Sequence, residues 1–96
     1  MTAKRNATRK RPVEPDVDAP LTDAEFERGL AAMLARRARE ATGLSQTAFA
    51  ARYGIPAASL RDWEHGRRVP DAATRSYLRV IARMPDAVAK ALHDAA

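Results

Sequence analysis

Gly43, Gly54 and Gly66 cut the middle of this chain into short pieces, and each stands where a helical run ends. Glycine enters the left-handed conformation that stops a helix without the steric cost of a Cβ. Gly43 closes a long apolar three-four spacing, Gly54 turns the chain after Gln46–Tyr53, and Gly66 ends a run over Pro56–His65. Ser45 is placed to cap the second run, and Pro56 suits the start of the third. Asp71 caps a fourth run to about Arg83, and Pro85 opens a last one through Leu92. No alternating strand pattern occurs, so the expected fold is all-α with five helices.

The first helix starts at about residue 23. Thr22 with Glu25 fits a capping box, and Leu21 and Phe26 sit where a hydrophobic staple packs. Phe26, Leu30, Met33, Leu34, Ala38 and Ala41 follow the spacing of one helical face, which is therefore expected to meet the core. Gly29, an interior blemish costing about 1 kcal/mol relative to Ala, marks a candidate joint between two helical pieces.

Charge divides the chain differently. Residues 1–12 hold Lys4, Arg5, Arg9, Lys10 and Arg11 with no acid, whereas residues 13–25 hold Glu14, Asp16, Asp18, Asp23 and Glu25 with no base. Opposite blocks punctuated by Pro12, Pro15 and Pro20, with little apolar content, cannot bury enough surface to fold alone. Residues 1–20 are read as a disordered or partner-ordered arm and 21–96 as the helical domain.

Composition narrows the function. The chain has no cysteine, and its two histidines, His65 and His93, stand far apart, so thiolate or histidine metal sites and thiol nucleophiles are excluded. Only 5% of residues are aromatic, which suits close-packed short helices rather than a cavity that buries a metabolite. The expectation is no enzyme, no cofactor and no metal. No apolar run is long enough for a membrane span, and Met1–Thr2–Ala3–Lys4 leads into charge rather than an apolar signal segment. A cytoplasmic protein is expected, and the net charge of +5 favours an anionic partner, nucleic acid first.

Three stretches then carry a resemblance: Gly43-Leu44-Ser45-Gln46-Thr47-Ala48-Phe49-Ala50, Tyr53-Gly54-Ile55, and Ser59-Leu60-Arg61-Asp62-Trp63-Glu64-His65-Gly66. Together they closely resemble the Xre/Cro/repressor-type helix-turn-helix family over about residues 35–82. The residues make physical sense in that frame. Ala50 is small where two helices cross, Gly54 permits a tight turn, and Leu44, Phe49, Tyr53, Ile55, Leu60 and Trp63 converge on one core.

The resemblance implies a recognition helix in the major groove of double-stranded operator DNA, presenting Ala57, Ala58, Arg61 and Asp62 to base edges. Alanine can touch a thymine methyl, Arg61 can bond guanine or a phosphate, and Asp62 can accept from cytosine. Ser45, Gln46, Ser59, Arg67 and Arg68 are the candidate phosphate contacts. Arg39 is implied to pair with Glu64 as a structural ion pair, while Arg36 and Arg37 read as a solvated face. Two departures stand out. Pro56 replaces the family's usual hydroxyl cap, and the Ala-Ala pair makes direct readout thin, shifting weight to shape and phosphate contacts. His65 is read as a solvated helix-end residue, and His93 is given no role.

The short charged arm with one such domain, and the stretches through Arg67-Arg68-Val69-Pro70 and Tyr77-Leu78-Arg79-Val80-Ile81-Ala82, resemble HigA-type antitoxins. This second resemblance implies a homodimer that represses its own operon and neutralises a RelE/HigB-like mRNA-cleaving toxin. The candidate toxin-binding residues are Val13, Glu14, Asp16, Val17, Asp18 and Leu21. Tyr77, Val80, Val88 and Leu92 are the candidate dimer contacts. The alternative is a stand-alone transcriptional regulator whose basic arm tracks DNA. An RNA-binding or nuclease module lacks the interleaved aromatics or the His/carboxylate cluster it needs.

Overall fold

The computed structural model describes residues 21–94, which form five helices and no strand. Helix α1 spans Asp23–Thr42, α2 Gln46–Tyr53, α3 Ala57–Glu64, α4 Ala72–Arg83 and α5 Pro85–Asp94. The Thr22 hydroxyl accepts from the Glu25 amide at 3.0 Å and the Glu25 carboxylate accepts from the Thr22 amide at 2.9 Å, closing the capping box. That bond to the Thr22 backbone, with the hydroxyl beside it, holds the Glu25 carboxyl below its ordinary range.

Two expectations about α1 are corrected. The helix runs unbroken through Gly29, so there is no joint. Its buried face is made of Ala31, Ala32, Ala35 and Ala38, whereas Phe26, Leu30 and Met33 are at least half exposed and Ala41 is exposed. Alanine lets a neighbouring helix approach the α1 backbone closely, and α4 and α3 both pack on this face. Of the larger apolar side chains Leu34 packs against the core, and Phe26, Leu30 and Met33 are left outside that seam.

Helix α3 ends in a motif built for glycine. The Gly66 amide bonds the Trp63 carbonyl at 3.0 Å and the Arg67 amide bonds the Asp62 carbonyl at 2.8 Å, with Gly66 at φ 71°. These two bonds satisfy carbonyls that the last turn would otherwise orphan. At its other end α3 has Pro56 as N-cap and no side-chain cap bond. Ser45 and Asp71 do cap α2 and α4, accepting from Ala48 and Thr74 at 3.1 and 2.8 Å.

Phe49, Leu60, Leu78 and Ile81 are fully buried and form the centre, with Tyr53, Ile55 and Trp63 around them. Two tyrosine hydroxyls stitch the later helices to α2: Tyr77 donates to the Tyr53 carbonyl at 2.6 Å, and Tyr53 donates to the Pro85 carbonyl at 2.9 Å. Burial pushes both phenols above their ordinary range. Tyr77 and Val88 pack against this core. Of the four expected dimer contacts, only Val80 and Leu92 are therefore left exposed, and Met84 joins them.

Candidate nucleic-acid interface

The short α2 and α3 are joined by the Gly54–Pro56 turn, and α3 is fixed from behind by a charged network. Glu64, in its last turn, is buried, yet it is ionised by design of its surroundings. The Arg39 guanidinium bonds both carboxylate oxygens, Nε to Oε2 at 2.8 Å and Nη2 to Oε1 at 2.9 Å. Gln46 adds a bond to Oε1 at 3.1 Å, and Arg36 donates to the Glu64 backbone carbonyl at 2.7 Å. Burial alone would raise the Glu64 carboxyl. The Arg39 and Gln46 hydrogen bonds and the charges of Arg39 and Arg36 outweigh it, and the net shift is downward. The bond to Glu64 correspondingly raises Arg39 above its ordinary value. Arg39 also reaches the Leu44 carbonyl at 3.3 Å, so one side chain ties α1, the entry to α2 and the end of α3.

Around this anchor the sequence-derived residues divide. Ala58 and Arg61 lie on the exposed side of α3. Arg61 makes no ion pair among the described residues, which leaves its guanidinium able to reach an outside acceptor. Ala57 is half-buried and packs against the core, so its expected place beside Ala58 on the open face is corrected to a partial one. Asp62 is drawn toward the following loop, its oxygens 3.4 Å from Arg67 Nη1 and 3.5 Å from Arg68 Nε. Arg68 also lies 3.4 Å from the Ser59 hydroxyl. Exposed pairs of this length are worth little, about 0–1 kcal/mol, and a phosphate can exchange for the carboxylate.

Ser45 accepts as the α2 cap, and its own O–H stays available as a donor. Gln46 stands at the first helical position, where the backbone N–H has no intrahelical acceptor and faces outward along the helix axis. Its side chain was not expected to join Glu64. Nor was His65 expected to bond the Arg61 carbonyl through Nδ1 at 2.9 Å at the end of α3. The Gln46–Glu64 contact joins side chains 18 positions apart and leaves no spacing signal, whereas the His65 bond falls at the i, i+4 spacing of a helix. Arg36, read as solvated, is in fact half of the grip on the end of α3. Of the expected toxin-binding residues, Leu21 is exposed. Val13, Glu14, Asp16, Val17 and Asp18 lie outside the described residues.

Among the described residues no three His, Cys, Asp or Glu side chains cluster as a metal site would need, and no helix is long and apolar enough to cross a membrane. No curated protein and no solved structure matches the chain significantly. Residues 30–93 match the family model described as a helix-turn-helix domain, well over half of the chain's 96 residues. The match takes in the α2–turn–α3 unit and the helices that brace it, and it begins only after the first two turns of α1. The chain belongs to the helix-turn-helix domain family, a DNA-binding fold.

Proposed function

We propose that this protein is a DNA-binding autorepressor and antitoxin: it holds operator DNA through α2 and α3 as a homodimer and neutralises a RelE/HigB-like mRNA-cleaving toxin. The observation that carries the DNA half is the exposed face of α3. There Arg61, an arginine without an ion-pair partner among the described residues, precedes Arg67 and Arg68 of the following loop, on a helix whose end is held by Arg39–Glu64. In this reading α3 lies in the major groove, Arg61 meets a base edge, and Ser45, the Gln46 N–H, Arg67 and Arg68 meet phosphates.

Val80, Met84 and Leu92, exposed on α4, at its end and on α5, are the apolar contacts suited to pair two copies. The toxin half is supported by sequence chemistry. An acidic segment holding Glu14, Asp16 and Asp18, with Val13, Val17 and Leu21 as apolar anchors, suits a protein surface that is basic where it grips RNA. Two measurements test the whole reading: binding of the full chain to duplex DNA from upstream of its own coding sequence, and its co-purification with the product of an adjacent reading frame. Specific DNA binding without a co-purifying partner would favour the stand-alone regulator.

A further inference from the structure

A cleft between α1 and α4 is lined by Leu30, Met33, Leu34 and Val69, and three arginines, Arg37, Arg75 and Arg79, stand at it. None of the three lies on α2 or α3, and none forms an ion pair among the described residues. Glu27 is the only acid in the lining. The apolar floor continues toward the start of α1 through Phe26 and Leu21, where the described chain begins. Leu21 and Phe26 precede the family match, whereas the cleft lining lies within it apart from Glu27.

We propose that this cleft is the docking site of the chain's own acidic segment, residues 13–18. The segment reads Val-Glu-Pro-Asp-Val-Asp. In extended backbone Val13, Pro15 and Val17 share one face and Glu14, Asp16 and Asp18 the other. The apolar face meets Leu30, Met33 and Leu34, and the acids meet the guanidiniums of Arg37 and Arg79, with Arg75, whose Nη1 donates to the Pro70 carbonyl at 2.6 Å, beside them.

Reach agrees. Leu30 and Arg37 stand about 13 and 24 Å along α1 from Leu21, and the chain from Leu21 back to Val17 and Val13 spans up to about 13 and 26 Å. Charge also selects this occupant over a second copy of the helical domain, because a two-fold contact through the cleft would set its three arginines against the same three. Docked in this direction, the segment points toward Arg37 and Val69, next to the loop that holds Arg67 and Arg68. The basic block Lys4–Arg11 then emerges on the side where the α3–α4 loop would meet DNA. The inference does not depend on a toxin. Any partner that takes residues 13–18 has to displace them from the cleft.

The test uses the full chain, which has no native cysteine, so a Pro12→Cys variant carries a single nitroxide label. Amide resonances of Leu34, Arg37, Val69, Arg75 and Arg79 are expected to broaden in the labelled protein. The broadening should vanish when Glu14→Gln, Asp16→Asn and Asp18→Asn are added, and at about 1 M salt, where charges act over only ~3 Å. Mixing labelled, isotopically silent chains with unlabelled, isotope-enriched ones should give none. Broadening confined to residues 21–26, or broadening that survives neutralisation of the acids, would overturn the proposal. Broadening in the mixed sample would overturn it too, by placing another copy's arm in the cleft.

Discussion

Arg39 and Glu64 stand 25 positions apart and meet in a two-point contact, both of whose bonds are shorter than 3 Å. The two ends differ in their access to water: Glu64 is 3% exposed and Arg39 25%. Removing Arg39 therefore strands a buried carboxylate, whereas removing Glu64 leaves a guanidinium that can still turn to solvent. Arg39→Met is expected to cost about 3–5 kcal/mol, with Glu64→Leu costing less and the double variant less than the sum. Denaturant unfolding of the three variants checks this. Strictly additive losses would mean that the pair is not coupled.

The downward shift of Glu64 fixes a pH dependence. A carboxyl whose folded pKa is depressed contributes stability that is present above its unfolded value, about 4.3, and lost as pH falls through the folded value. Glu25 and Asp71 are shifted the same way by their cap bonds. The melting temperature should hold from neutral pH down to that range and then fall. In Glu64→Gln the fall should be shallower, with the two capping carboxylates supplying what remains. Parallel curves for the two proteins would contradict the assignment.

Gly29 sits within an unbroken helix, and a Cβ built there meets nothing within 4 Å. Gly29→Ala is expected to stabilise the protein by about 1 kcal/mol, raising the melting temperature by about 4–8 °C. A lower melting temperature would show that something occupies the space beside it.

Loss of the Tyr77 hydroxyl leaves the Tyr53 carbonyl at the end of α2 short of a donor. Tyr77→Phe should cost about 0.5–1.5 kcal/mol by denaturant unfolding, and Leu78→Ala, fully buried next to it, about 2–5 kcal/mol. A neutral Tyr77→Phe would mean that water replaces the hydroxyl.

How far these features could be read from the chain depended on how local their chemistry is. Thr22 with Glu25, Ser45 and Asp71 announce helix starts because each cap acts within three residues, and Gly66 announces an end because its backbone needs positive φ. The face of α1 is legible only in part, since Leu34 and Ala38 pack inward as expected. Size-weighted spacing picks out Phe26, Leu30 and Met33, while close helix packing selects the alanines. The drawing of Asp62 toward Arg67 and Arg68, the Gln46–Glu64 bond and the Tyr77–Tyr53 bond depend on how loops and helices meet in space. That arrangement leaves no periodicity in the sequence. The partial turning-in of Ala57 has the same origin, since α3 is rotated by Leu60 and Trp63 seeking the core.

Whether the exposed face of α3 reads DNA through Arg61 is measured most directly by selection of bound duplexes from a randomised pool by the wild-type chain and by Arg61→Ala. The wild type should enrich a two-fold sequence with half-sites one helical turn apart, roughly 34–36 Å. Arg61→Ala should lose preference at one position of each half-site and cost about 1–3 kcal/mol on the selected duplex, with little change on unselected DNA. Equal weakening on every sequence would make Arg61 a phosphate contact only, and an unchanged motif and affinity would contradict the claim that this face of α3 is the reading surface.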